Sequence, residues 1–177
     1  MKRDLITHFS YLIAFFILIS LFKGWISISY VTFWIGGVIG TILPDLDHLI
    51  YIYVTRPNEA ASQKAAALIT EKKYTKGWDL LIATSTERTN LIFHKASFQL
   101  IFLVFTFLII TSASSALGRG IVLAFVLHLV VDMATDFFER KNLSNWFDNF
   151  PISLDGEQKK WYFFVNILLV LIFGFLF

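Results

Sequence analysis

Histidine and aspartate recur at helical spacing inside apolar stretches of the chain. Asp45 and His48 lie three positions apart in ILPDLDHLI, and His128 and Asp132 lie four positions apart in LAFVLHLVVDM. Residues at these spacings share one face of a helix. Imidazole nitrogens and carboxylate oxygens are the usual ligands of Zn²⁺ and related ions where cysteine is absent, as it is here. The spacing therefore indicates a divalent metal site, with an interhelical hydrogen bond as the alternative.

Two further histidines open other apolar stretches: His8 near the start of the chain and His94 before the third stretch. Together with the two helical pairs they could hold one or two ions, most simply Zn²⁺. A pair of ions could clamp both the attacking and the leaving oxygen of a phosphoester. The alternative is that His8 and His94 are interfacial histidines without a metal role. The predicted metal ligands are His8, Asp45, His48, His94, His128 and Asp132.

The composition shows what kind of scaffold must position these groups. Of the 177 residues, 56% are hydrophobic and only 16% are charged, whereas soluble domains carry about 25% charged residues. A soluble domain of this size exposes too much surface to hide so many apolar side chains. We therefore expect a small integral membrane protein. The composition excludes a disordered chain, a disulfide scaffold and a cysteine-based zinc protein, and the net charge of +2 does not suggest nucleic-acid binding.

Five stretches are long and apolar enough to be candidate spans, since a bilayer core needs about 20 mainly apolar residues per helix. We predict an all-α, polytopic membrane helical bundle that forms a single domain over residues 1–177. Residues 55–92 would form a cytoplasmic helical insertion, with one helix after Pro57 and a second over about Trp78 to Arg88. The predicted spans are about Leu5 to Phe22, Val31 to Val54, Phe98 to Ala116, Arg119 to Phe138 and Trp161 to Phe177.

The basic residues predict how the bundle is oriented. Of the 15 Lys and Arg residues, all except Lys23 and Arg119 fall on one side of the predicted membrane. Because cytoplasmic loops are rich in Lys and Arg, we predict a multi-pass protein of the cytoplasmic (inner) membrane with its N-terminus in the cytoplasm and its C-terminus outside. All four histidines then lie in the cytoplasmic half of the bilayer or at its surface.

These motifs resemble those of the small membrane-bound metal-dependent hydrolases related to the LexA-binding inner-membrane protein. In that family a histidine opens the first span, a glycine-rich span ends in L-P-D-x-D-H, an H-R-x-x-T-H-S motif follows, and a later span carries H-x-x-x-D. The corresponding segments here are THFSYLI, GGVIGTILPDLDH, FHKASFQL and LHLVVDM, and NFPISL is similar to the short stretch before the last span. The resemblance covers nearly the whole chain. In the third motif, Lys95, Phe98 and Gln99 replace the family's Arg, Thr and second His.

The resemblance implies metal-dependent hydrolysis, because the family is distantly similar to the zinc phospholipase C and P1 nuclease enzymes. The substrate would be a phosphoester in an amphiphilic, lipid or lipid-linked molecule. We expect Asp47 or Asp136 to orient a metal-bound histidine or to accept a proton from water, and Lys95 to meet the substrate's negative charge. The alternatives are a helix-capping Asp47 and an Asp136 that is solvated or paired with Arg140.

Two other functions are compatible with the sequence. The chain could be a catalytically inactive membrane scaffold that binds a cytoplasmic protein partner through residues 55–92. It could also be an ion-coupled transporter, because intramembrane Asp and His residues serve as proton relays. The transporter is less favoured because the five predicted spans show no inverted repeat. In each case membrane lipids surround the bundle, and nucleic acid is not an expected partner.

Overall fold

The computed structural model describes residues 2–84, 88 and 91–176, and every regular element among them is helical. Short 3₁₀ or π-helical turns occur at Ile28–Tyr30, Leu43–Asp45, Tyr51–Thr55, Asp136–Arg140 and Ser144–Phe147. The α-helices are α1 (Lys2–Lys23), α2 (Val31–Ile42), α3 (Leu46–Ile50), α4 (Ala60–Thr70), α5 (Tyr74–Ala83), α6 (Ala96–Ser112), α7 (Ala116–Thr135) and α8 (Gly156–Leu176).

In the described part of the chain, four helical segments are long and apolar enough to cross a membrane: Leu5–Lys23, Ile28–Thr55, Ala116–Arg140 and Gly156–Phe175. The helix α6 is also apolar, but with 17 residues it is shorter than these four segments. Many large apolar side chains face outward, and Ile101 on α6 is 72% exposed. Exposure on this scale suits lipid rather than water as the surrounding medium. The predicted helical membrane bundle is thus confirmed at this level.

The helices α2 and α7 run parallel and touch through their backbones. A Cβ atom added at Gly36 or Gly40 would overlap a backbone carbonyl of α7, and one added at Gly120 would overlap the Phe33 carbonyl. The contacts advance in step along both helices, from Phe33 beside Gly120 to Gly40 beside Ala124. Small residues permit this approach between membrane helices. The close packing brings the polar ends of the two helices together.

The second apolar stretch changes its helix type at Pro44. Proline has no backbone N–H and clashes with the preceding turn of an α-helix. Here α2 ends at Ile42, a 3₁₀ turn follows over Leu43–Asp45, and α3 then starts at Leu46. Asp45 and Asp47, two positions apart, point to different sides of this segment. Asp45 lies beside His128, whereas Asp47 contacts the segment 91–94.

Three apolar clusters surround the site. The first fills one half of the bundle, where Phe16 of α1 stacks on Phe33 at a centroid distance of 4.3 Å. The second packs Phe163 of α8 among residues of α7 and the following loop. The third joins the α4–α5 hairpin to Tyr51 and Ile52 at the end of the second stretch. The hairpin is therefore packed against the bundle.

The insertion differs from its prediction in where its second helix lies. That helix runs over Tyr74–Ala83, and not over Trp78 to Arg88. Residues 85–87 lie outside the described part of the chain, so the predicted end of the helix falls partly there. Within this helix, Gly77 packs against Ala65 and Ile69 of α4, which closes the hairpin.

Candidate metal centre

Asp132 on α7 is surrounded by imidazoles from three separate parts of the chain. His8 Nε2 lies 3.0 Å from Asp132 Oδ1, and His94 Nε2 lies 3.0 Å from Oδ2. His128, one turn earlier on α7, places its Nε2 at 3.2 Å from the same Oδ2. The rings of His8 and His128 stack at a centroid distance of 4.0 Å. Ligand atoms of His8, His128 and Asp132 all lie within 4.8 Å of one another, which suits a metal ion.

His128 has the environment of a ligand. Both of its ring nitrogens are buried, and neither has a hydrogen-bond partner among the described residues. Nε2 is nevertheless close to two carboxylates, at 3.2 Å from Asp132 Oδ2 and 3.7 Å from Asp45 Oδ1. Two ligands of a tetrahedral Zn²⁺, each about 2.0–2.1 Å from the ion, lie about 3.3 Å apart. This spacing around His128 therefore fits shared coordination.

Asp47 holds the segment before α6 in place. Its side chain is 1% exposed, and its oxygens accept hydrogen bonds from the backbone N–H groups of Ile92 (2.9 Å), Phe93 (2.6 Å) and His94 (3.3 Å). The same carboxylate lies 3.1 Å from His94 Nδ1, while His94 Nε2 faces Asp132. A carboxylate behind an imidazole fixes the ring's orientation and increases its basicity as a metal ligand. Asp47 thus positions His94.

The same two carboxylates favour positive charge on His94. Burial alone would lower the pKa of this imidazole, but its hydrogen bonds to Asp132 and Asp47 outweigh burial and raise the pKa to about 10. An opposite charge at hydrogen-bond distance stabilises the charged form of a titratable group. The two carboxylates therefore stabilise a positive charge on the His94 ring.

His48 completes the group from the side of α3. Its ring stacks on that of His94 at a centroid distance of 5.5 Å. Its Nδ1 is buried and has no hydrogen-bond partner within the described residues. The side chain lies between His94 and Trp78 of the hairpin, whose ring centroid is 6.3 Å away. His48 therefore offers a further nitrogen ligand at the edge of the cluster.

The cluster opens into a cavity of about 110 Å³. Four predicted ligands, Asp45, His48, His94 and Asp132, are part of its wall. His8 and His128 are more deeply buried, at 6% and 2% exposed. The structure thus brings His8, His128 and Asp132 within 4.8 Å of one another, and it places Asp45, His48, His94 and Asp132 at the cavity wall. An interhelical hydrogen bond between one Asp and one His, the alternative to a metal site, would not require this many ionisable groups beside a cavity.

The three residues predicted to act in catalysis lie in different surroundings. Asp136 lines the cavity and accepts hydrogen bonds from Trp146 Nε1 and Arg140, each at 2.7 Å. Lys95 contacts Asp148 and the Asn145 carbonyl, both at 3.0 Å, and is not among the described residues that line the cavity. Asp47 is enclosed behind His94. Asp136 is thus the one of the three that borders open space.

Two arginines line the cavity without having been selected from the sequence: Arg88 of the insertion and Arg140 after α7. The sequence contains no motif around Arg88, and Arg140 was considered only as a partner of Asp136. In the sequence, the two arginines share one feature: both lie near the predicted cytoplasmic ends of apolar stretches. The structure thus places guanidinium groups where Lys95 was expected to act.

Gln99, at the position of the second histidine in the motif that FHKASFQL resembles, is not among the described residues that line the cavity. Its side chain is fully buried, and its Oε1 lies 3.0 Å from the Tyr162 hydroxyl of α8. The same hydroxyl lies 3.0 Å from the Ala96 carbonyl. The Gln99 side chain therefore links α6 to α8. Position 99 therefore contacts α8 and not the imidazole cluster.

We expect the substitution Gln99→His to leave the bound metal unchanged, because position 99 contacts Tyr162 rather than the imidazole cluster. The measurement is the metal-to-protein ratio of the purified protein in detergent, with Thr111→His on the exposed side of α6 as the control. A rise in stoichiometry in Gln99→His alone would show that position 99 reaches the metal centre.

The substitution Asp47→Asn should weaken metal binding by about 10–100-fold, because it removes the charge behind His94 while nearly preserving the side chain's shape. Titration with a competing chelator gives the affinity. The control is Asp148→Asn, which alters a buried lysine's partner outside the cavity wall. Equal affinity in the wild type and Asp47→Asn would mean that the contact serves packing alone.

The donor set fits a divalent ion. It provides imidazole nitrogens and carboxylate oxygens, which suit Zn²⁺ and related ions. His48 and His128 have buried ring nitrogens that make no hydrogen bond to another described residue. Leaving such groups buried without a partner is costly. A bound cation would satisfy them.

Comparison of the chain with protein families, curated proteins and solved structures finds no match. The family resemblance therefore stays a prediction based on motifs.

Proposed function

We propose that this protein is a membrane-embedded, metal-dependent hydrolase that cleaves a phosphoester in a lipid or lipid-linked substrate. The observation that carries the proposal is the group of His8, His128 and Asp132, whose ligand atoms lie within 4.8 Å of one another. This group borders a small cavity that is lined by Asp45, His48, His94 and Asp132. Ionisable groups at membrane depth are costly and usually mark a functional site. The α4–α5 hairpin supports the proposal, because residues of the insertion form part of the cavity wall.

The ion-binding residues would be His8, Asp45, His48, His94, His128 and Asp132, with Asp132 between three of the histidines. One or two divalent ions, most simply Zn²⁺, would lower the pKa of water and polarise a phosphoryl oxygen. Asp47 keeps His94 in its orientation. Asp136 borders the cavity and is the candidate to accept the water's proton, while Trp146 and Arg140 hold its carboxylate in place.

We further propose five spans, with α6 as the additional one. The parallel arrangement of α2 and α7 supports this count, because the chain must return across the membrane between them. The helix α6 is the apolar segment available for the return, although about 1.5 Å per residue gives it a length of only about 25 Å. The distribution of basic residues favours the cytoplasmic membrane, a cytoplasmic N-terminus and an outer C-terminus. The cavity would then open at the cytoplasmic face.

Metal analysis of the detergent-purified protein tests this proposal. We expect near-stoichiometric divalent metal in the wild type and its loss in the double variant His128→Ala, Asp132→Ala. The control is Asp79→Ala, an exposed acid on α5. Phosphate release from phospholipid vesicles should follow the metal content. Equal, substoichiometric metal in the wild type and the double variant would overturn the metal claim and favour a non-enzymatic scaffold acting through residues 55–92.

A further inference from the structure

The cavity wall carries two arginines in addition to the predicted metal ligands. Arg88 and Arg140 belong to its wall together with His94 and Asp132. The two arginines come from different segments, one from the insertion and one from the turn after α7. Arginine is well suited to bind phosphate because its planar guanidinium donates parallel hydrogen bonds to two oxygens. The placement suggests that the wall recognises an anion next to the metal centre.

Arg88 is fixed from several directions. Its side chain is 4% exposed, donates to Thr84 Oγ1 at 2.7 Å and to the Leu81 carbonyl, and lies 6.0 Å from the centroid of the Tyr51 ring. These contacts join the insertion to the end of the second apolar stretch. A guanidinium held this firmly loses little conformational entropy when it binds a ligand.

Arg140 sits at the open side of the cavity. It donates to Asp136 at 2.7 Å, and its side chain is 43% exposed. A guanidinium carries five N–H donors, so one group can bind a carboxylate and a phosphate together. Trp146 Nε1 donates to the other oxygen of Asp136. The pair Asp136 and Arg140 is therefore anchored where a ligand would enter.

The size of the cavity limits what can enter. Ligand pockets for whole small molecules measure about 300–1,000 Å³, whereas this one measures about 110 Å³. A phosphoryl group fits this space, and the rest of a larger substrate would extend beyond it.

We propose that the cavity takes the terminal phosphate of a phosphomonoester, with Arg88 and Arg140 donating to its oxygens. This inference rests on the proposed hydrolase function and narrows its substrate class. In the reaction a water oxygen bonds to phosphorus and the phosphorus–oxygen ester bond breaks. One water proton passes to the departing alcohol, and inorganic phosphate and the alcohol are released. A diester would place a second substituent against the cationic wall.

Charge adds a condition to this proposal. The wall carries three carboxylates, Asp45, Asp132 and Asp136, against the two arginines. Without a divalent ion these three carboxylates oppose the binding of phosphate. Phosphate binding should therefore require the metal, and the arginines should then determine its affinity.

Binding of inorganic phosphate to the zinc-loaded protein in detergent, measured by calorimetry, is the direct test. We expect Arg88→Gln and Arg140→Gln each to weaken binding by about tenfold or more, since each removes charge-assisted hydrogen bonds. Metal content should stay unchanged. The control is Arg56→Gln, an exposed arginine of the insertion. Arg88→Lys serves as the second variant if Arg88→Gln does not fold, and should also bind less tightly because lysine lacks the bidentate geometry.

Substrate assays separate the possible sources of the phosphate. Vesicles that contain phosphatidic acid present a lipid phosphomonoester, glycerol phosphate presents a soluble one, and phosphatidylglycerol presents a diester. We expect the two monoesters to be cleaved in preference to the diester, and the faster of the two identifies the source. Unchanged phosphate affinity in both arginine variants, or equal cleavage of the diester, would overturn this inference while the metal data still supported a hydrolase. A wild type without metal would instead remove the proposed function itself.

Discussion

Replacing Asp132 by asparagine is expected to abolish stable metal binding. The Asp132 carboxylate contacts imidazoles of His8, His94 and His128 at 3.0 to 3.2 Å. Asparagine keeps the shape of the side chain but removes its charge and one acceptor oxygen. Removal of an outer partner of a metal ligand typically costs about 10–100-fold in affinity. Loss of the group shared by three histidines should cost more.

The measurement is the metal-to-protein ratio after dialysis, together with phosphate release from vesicles. Asp79→Asn is the matched control, because it makes the same chemical change on the exposed face of α5. We expect the control to behave like the wild type. Full metal occupancy in Asp132→Asn would contradict a central role for this carboxylate and leave the histidines as a hydrogen-bonded cluster.

The substitution Gly40→Ala should destabilise the protein and also disturb the site. A Cβ atom at position 40 would overlap the Ile121 carbonyl of α7. Because the obstacle is backbone, a side-chain rotation cannot relieve the overlap and the helices must separate. Overpacking typically costs about 1–3 kcal/mol. Separation also moves Asp45 away from His128, so metal affinity should fall together with stability.

Thermal unfolding in detergent and the metal-to-protein ratio measure the two effects. Gly118→Ala is the control on α7, since its new methyl group would have its closest contact at an ordinary 3.7 Å from Ser115. A Gly40→Ala protein as stable as the wild type and with full metal would contradict the backbone contact between α2 and α7.

The identities of the candidate ligands could be predicted because their chemistry is local. Asp45 with His48 and His128 with Asp132 are visible as helical pairs in a chain that offers few other polar groups at membrane depth. The apolar stretches likewise predict a helical membrane bundle. The number of spans does not follow from length alone, because α6 has 17 residues and is shorter than a typical span.

The geometry between distant segments could not be predicted from spacing. Asp45 and Asp47 are two residues apart and so point to different sides of a helix. Spacing alone does not show that Asp45 lies beside His128 or that Asp47 contacts His94. Arg88 follows no motif and enters the cavity wall because the α4–α5 hairpin packs on Tyr51 and Ile52. Such placements depend on tertiary contacts that local sequence does not encode.

The contact between His8 and Asp132 joins residues 124 positions apart. During synthesis on the ribosome, at about 5–20 residues per second, roughly 6–25 s separate the appearance of these two residues. The first helix must therefore enter the bilayer with its histidine still lacking this carboxylate. The cluster around Asp132 can form only after the α7 segment has been inserted, so an ion that needs all of these groups could be bound only after that step.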